Sequence, residues 1–219
     1  SAQWTIMRSD ADILVKKGAQ QIYNLQFDSA AANFSKVRQM YPEHPAGYFL
    51  DAMVEWWRIT TTSSRSKALD DVFLQKIEKT IEVCDRLIEK NRIDVPAIFF
   101  KGGAVGYRGR FYATREQYLK AADDGRIGFD LLMECQKLAP QSHDVMLGAG
   151  LYNYFAAVLP EQYPILKAAM LFLPSGDKQL GILQLATASK RAQYASTEAK
   201  VVLLQIYYRF EKNPTEAMK

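Results

Sequence analysis

Apolar residues in this chain recur at intervals of three and four along nearly its whole length. Nowhere do they alternate in steps of two, so the backbone is expected to form helices rather than strands. In Asp71–Asn91 the residues Val72, Leu74, Ile77, Ile81, Cys84, Leu87 and Ile88 make one stripe, with Lys76, Glu78, Lys79, Glu82, Asp85 and Glu89 opposite. That is the pattern of an amphipathic helix with a solvated charged face. Thr114-x-x-Gln117 has the spacing of a capping box and predicts the start of another helix, while Pro45 and Pro96 sit where a first helical turn tolerates proline. The longest polar loop is expected at residues 60–67 (TTTSSRSK). The expected class is all-α.

The helices also repeat. Leu14, Gly18, Ala30, Phe34, Val37 and Pro42 place a small residue in one helix, a small residue early in the next, an aromatic four positions on and a closing proline. Small side chains at Gly18 and Ala30 let two helices approach, Phe34 fills the gap between them, and Pro42 stops the second helix. This spacing resembles the tetratricopeptide repeat. Gly18, Ala52, Gly103 and Gly150 carry the register onward at gaps of 34, 51 and 47, and a degenerate Gln205 follows after 55. The resemblance therefore implies one domain over residues 1–219: an α-α superhelix of about four and a half helix pairs, with insertions of 17, 13 and 21 residues. Val201, Leu204, Tyr208 and Ala217 resemble a further repeat cut inside its second helix, so continuation beyond Lys219 is expected.

A second resemblance lies in the fourth repeat. Gly150, Tyr152, Asn153, Leu159, Pro160, Ile165, Leu166, Phe172, Gly176, Asp177, Leu180 and Gly181 resemble a pattern in the inclusion-body clearance proteins of the mitochondrial outer membrane, a tetratricopeptide-type family. The match covers about a fifth of the chain. It departs from the pattern at Pro174-Ser175 and at Glu161-Gln162. It implies a distant expanded-repeat scaffold and does not carry over clearance or lipid-droplet function.

Composition narrows the work such a scaffold could do. Apolar residues make up 48% and charged residues 24%, so the chain has a core-forming, globular composition. A net charge of +4 is lower than phosphate-neutralising proteins usually carry, and no nucleic-acid partner is expected. The most apolar stretch, 145–174, is broken by Pro160 and Pro164 and holds Glu161 and Lys167, which argues against an integral membrane protein. Residues 1–12 have neither a basic nor an apolar signal region, and two thiols fit a cytoplasmic or a periplasmic protein equally.

Chemical motifs are scarce. His44 and His143 follow the closing prolines Pro42 and Pro140, far from any cysteine at zinc spacing, so no metal site is expected. Cys84 and Cys135 lie on apolar stripes and read as buried thiols. Ser64–Lys67 and Ser175–Lys178 both match S-x-x-K without the partner motifs of that chemistry, and Ser175 and Asp177 read better as a helix start. Asp70-Asp71 and Asp123-Asp124 lack an apolar wall, and Gly148-Ala-Gly150 lacks a dinucleotide-binding strand. No enzyme activity and no cofactor are expected.

Three features stand out. Lys101–Arg115 packs four glycines into eight residues, which reads either as close helix packing through Gly102 and Gly106 or as backbone approach by an anion held by Arg108, Arg110 and Arg115. The positions four and five after each small residue are rich in rings: Ile22-Tyr23, Trp56-Trp57, Tyr107-Arg108, Tyr154-Phe155 and Arg209-Phe210. Either the insertions fold over these rings and make them core, or the rings form a ladder. In the latter case Tyr23, Trp56, Trp57, Tyr107, Arg108, Arg110, Tyr154 and Phe155 are the binding candidates. The third is the apolar insert 161–174, where Ile165, Leu166, Ala169, Met170 and Leu173 read as a short helix across the fourth repeat. Self-association or a peripheral membrane contact is its other expected role. Together these predict a non-enzymatic scaffold for a protein or peptide segment, with a carbohydrate- or small-ligand-binding module as the alternative.

Overall fold

A computed structural model describes residues 8–163, 167 and 174–218. Among them every regular element is helical: α1 (Asp12–Tyr23), α2 (Phe27–Met40), α3 (Ala46–Thr61), α4 (Lys67–Lys90), α5 (Val95–Thr114), α6 (Tyr118–Leu138), α7 (Val145–Gln162), α8 (Lys178–Arg191), α9 (Ser196–Gln205) and α10 (Pro214–Ala217). α9 runs directly into a π-helical turn, Ile206–Phe210. The chain divides into two compact units, 1–108 and 109–219, with the division inside α5. Within the first unit α1 packs on α2, α2 on α3 and α3 on α4. Within the second, α6 packs on α7, α7 on α8 and α8 on α9.

The register of small residues has a physical cause at both ends of the chain. A Cβ on Gly18 would run into the ring of Phe34, and a Cβ on Gly150 would lie 2.7 Å from Leu185 Cγ and 2.9 Å from the carbonyl oxygen of Gly181. Phe34 and Leu185 each stand four residues after the small residue of the second helix, Ala30 and Gly181 respectively, and both are fully buried. Three residues after the small position a polar pair ties the helices together. Asn33 Nδ2 donates to Gln21 Oε1 at 2.6 Å, Lys76 to Glu55 at 2.8 Å, and Asn153 Nδ2 to Gln184 Oε1 at 2.8 Å. The polar position thus ties the helices of three pairs, and the small position sets the spacing in the first and last of them.

The extra residues in the second and third repeats lengthen helices instead of forming loops. α1 and α2 have 12 and 14 residues, whereas α3 and α4 have 16 and 24, and α5 and α6 have 20 and 21. The polar loop is short: residues 62–66 join α3 to α4, and Ser66 Oγ caps α4 at the Leu69 amide. Asp177 likewise caps α8, accepting from the Leu180 amide at 2.9 Å.

Two local expectations fail. Thr114 does not open a helix. It closes α5, its hydroxyl donating back to the Phe111 carbonyl at 2.7 Å, and the next helix starts at Tyr118 without a side-chain cap. The reversal runs through Glu116, whose φ of 61° is the left-handed conformation of a helix C-terminus, with the Gln117 amide returning to the Tyr112 carbonyl at 2.9 Å. Leu25, at φ 59°, makes the same turn after α1. Pro160 also fails to break α7, which continues to Gln162. The insert 161–174 falls largely on residues 164–166 and 168–173, which lie outside those described.

Candidate binding face

The two ring-rich positions separate in the first four repeats. At position four Ile22, Trp56, Tyr107 and Tyr154 are buried and build the core, whereas Arg209 is exposed. Trp56 meets Phe73 and Tyr107 with ring centroids 5.8 and 5.6 Å apart, and Phe49 links Tyr107 to Phe100. Tyr154 packs with Val158, Leu185, Val202 and Ile206 in the second unit. Trp56, Tyr107 and Tyr154 therefore hold helices together and have no face left for a partner.

Position five behaves differently. Tyr23, Trp57, Arg108, Phe155 and Phe210 are each half-buried. Consecutive rungs touch within each unit: Tyr23 and Trp57 meet edge-to-face with centroids 5.3 Å apart, and so do Phe155 and Phe210 at the same distance. Each touching pair of partly exposed rings is a ready-made apolar strip within its own unit. In the first unit its edge is polar. Arg58, next to Trp57, donates to Asp28 at 2.6 Å, lies over the Phe27 ring, and pairs with Glu55 at 3.6 Å. Lys76 bridges Asp51 and Glu55, and Arg38 pairs with Asp51 at 3.5 Å.

The glycine–arginine segment does not gather an anion site from its arginines. Arg108 donates to Glu78 at 2.6 Å and Arg110 to Glu198 at 3.1 Å. Residues two apart on a helix point to nearly opposite sides, so the two guanidinium groups cannot converge on one ligand. Arg115 lies over the Phe111 ring and turns back to Thr114. Nor does the glycine packing follow the Gly102–Gly106 spacing. A Cβ at Gly106 would meet nothing within 4 Å, whereas one at Gly109 would lie 3.1 Å from Asp124 Cβ and 3.2 Å from the Ala121 carbonyl oxygen. Gly106 has ordinary helical φ, so Gly106→Ala is expected to stabilise the protein by about 0.5–1 kcal/mol in a urea melt. Gly109→Ala is expected to destabilise it.

The titratable groups are organised for structure. Burial pushes the Cys84 and Cys135 thiols up to about 12, and both are free thiols. Burial lowers His44, which sits edge-on to Phe100 with its Nδ1 accepting from the Ala46 amide. Burial also raises the Tyr154 hydroxyl, reinforced by its 2.5 Å hydrogen bond to Glu211. Burial would raise Glu211 itself, but hydrogen bonds from Lys178 and Tyr154 outweigh it and hold the carboxyl below its usual value. Among the described residues no cluster of His, Cys, Asp or Glu could hold a metal ion, and no helix is long and apolar enough to cross a membrane.

Sequence reasoning overlooked Asp144. Its carboxylate accepts from the backbone amides of Gln193, Tyr194 and Ala195, about fifty residues away, so no local spacing announces it. It also overlooked the amide pair Asn153–Gln184, although Gln21–Asn33 at the matching register could have pointed to it. No protein-family model matches the chain, and no curated protein matches it.

Proposed function

We propose that this chain is a non-enzymatic, tetratricopeptide-like scaffold that holds protein segments on the position-five rings of its units, Tyr23 and Trp57 in the first and Phe155 and Phe210 in the second. The observation that carries this reading is the pair of touching, half-exposed ring contacts, Tyr23–Trp57 and Phe155–Phe210, at one repeated helix position. Rings held by their neighbours offer contact area with little side-chain entropy left to lose on binding. The arginines and carboxylates beside Trp57 would orient a peptide backbone or its charged side chains.

A carbohydrate would use the same features differently, stacking on Trp57 and hydrogen bonding to Asp28 and Arg58. Both ligand classes can be tested on one surface. Fluorescently tagged wild-type protein is applied to an array of random peptides and an array of oligosaccharides, beside Trp57→Ala and Phe155→Ala. The expected result is a set of retained peptides whose signal falls about tenfold or more in Trp57→Ala. Retention of oligosaccharides alone supports the alternative, and retention unaffected by either substitution overturns the strip as the binding face.

A further inference from the structure

The corner between α2 and α3 places a histidine where a second proton would be out of place. Pro45, which precedes α3, offers no side-chain cap, and the first amide of the helix, at Ala46, is bonded instead by His44, 3.2 Å from Nδ1. Nδ1 accepts in that bond, so the neutral ring carries its proton on Nε2. A second proton can enter only at Nδ1. It turns the acceptor into a donor that faces another donor, and it sets a positive charge at the positive end of the α3 dipole.

Two contacts carry that local change into the packing of the first unit. The His44 ring stands edge-to-face on Phe100 of α5, with centroids 5.9 Å apart, and Phe100 is buried. Ala46 is buried as well, and a Cβ on the next residue, Gly47, would lie 2.9 Å from Cα and from the backbone nitrogen of Arg38. The first turn of α3 thus already presses on the last turn of α2, and an Ala46 amide that loses its acceptor reaches water only if this crossing opens. The charged groups around the ring do not offset the cost. Asp94, at the start of α5, favours the imidazolium, but its carboxylate is engaged by the Ala97 amide at 2.9 Å. Arg8, which lies over the Tyr41 ring, opposes it. Arg38 is turned to Asp51 and the Tyr48 ring, and Glu43 in the corner is exposed. Burial outweighs Asp94 and holds His44 below the usual histidine value.

We propose that His44 is an acid-operated latch of the first unit: in mild acid it takes up a proton, lets go of the Ala46 amide and frees the α2–α3 corner from α5. The proton binds the open corner more strongly than the closed one. The latch therefore holds fully above the usual histidine value of about 6.5 and weakens as pH falls below it. The proposal does not depend on the ring strips binding anything.

The test uses the 219-residue chain. In the wild type the His44 ring resonance, followed by NMR, is expected to titrate below about pH 6.5. Between about pH 7.5 and about pH 5.5, where carboxylates stay ionised, protection of the Ala46 amide against hydrogen exchange is expected to fall at least about tenfold after correction for intrinsic rates. The melting temperature should fall by about 4 °C or more over the same window. His44→Asn supplies a side-chain oxygen that can accept from the Ala46 amide and does not titrate, so it should abolish both falls, whereas His143→Gln should keep them. A His44 resonance that titrates at or above the usual value, an Ala46 amide equally protected at both pH values, or a fall in melting temperature that persists unchanged in His44→Asn overturns the proposal. The resonance and the exchange rate are read on the wild type, so they decide the matter even if His44→Asn fails to fold.

Discussion

Gly150→Leu is expected to lower the stability of residues 109–219 by about 3 kcal/mol, read as a fall in melting temperature on the order of 10 °C. The size follows from what the new side chain would meet. At Gly150 the first added carbon already lies 2.9 Å from the Gly181 carbonyl oxygen and 3.0 Å from the Leu185 backbone nitrogen. Backbone cannot swing aside, so α7 and α8 must separate, and separation costs packing at Tyr154, Val158 and Leu185 as well as the Asn153–Gln184 bond. Gly148 provides the contrast. Its nearest neighbour is a methyl of Leu132, the free end of a flexible side chain, so Gly148→Ala should be nearly neutral. A Gly150→Leu melt that matches the wild type would mean that α7 and α8 are not in contact at this register.

Several features of this packing were legible in the chain. A small residue followed four positions on by a bulky one is a statement about interhelical distance, and Ala30–Phe34 and Gly181–Leu185 both obey it, with Phe34 against Gly18 and Leu185 against Gly150. The buried thiols and the Asp177 cap followed from equally local rules. What sequence spacing could not separate was position four from position five in the ring-rich helices. Adjacent residues lie about 100° apart on a helix, and both positions carry aromatics, so composition is the same on either side of the boundary. Only the placement of the neighbouring helix decides that Trp56 is core and Trp57 is surface. The capping-box pattern at Thr114 misled for a related reason. A threonine hydroxyl can satisfy a carbonyl at the end of a helix as readily as an amide at its start, and the following Glu116 adopts a left-handed turn that its residue type does not announce.

The lengths of the gaps carried a different ambiguity. Intervals of 51 and 47 residues can mean loops folded across a face or longer helices, and the two have opposite consequences for binding. A loop laid over the odd-numbered helices would bury the rings at position five. Here the extra residues extend α3 to α6, so in the first unit Tyr23 and Trp57 keep part of their surface in solvent. Availability of the strip is thus a result of where the added length went.

Asp144→Ala is expected to cost about 3 kcal/mol, although the side chain makes no capping hydrogen bond to its own helix, α7. The residue is 7% exposed, and its carboxylate collects three amide donors from the turn between α8 and α9. Tyr194 and Ala195 donate to Oδ1 at 2.8 Å each, and Gln193 donates to Oδ2 at 3.3 Å. Removing it takes three charge-assisted bonds from a part-buried turn flanked by Ala188, Ala192 and Ala199, which are buried and too small to shift into the gap. Each such bond is worth on the order of 1 kcal/mol or more. Asp144→Asn separates charge from shape: it keeps one acceptor oxygen and turns an amide donor toward the Gln193 amide, so it should cost about half as much. Amide hydrogen exchange gives the specific readout. Protection at Tyr194 and Ala195 should fall by orders of magnitude in Asp144→Ala while amides of α1–α4 exchange as in the wild type. Unchanged protection at those two residues would show that the turn is held by the helices on either side of it and that the carboxylate is incidental.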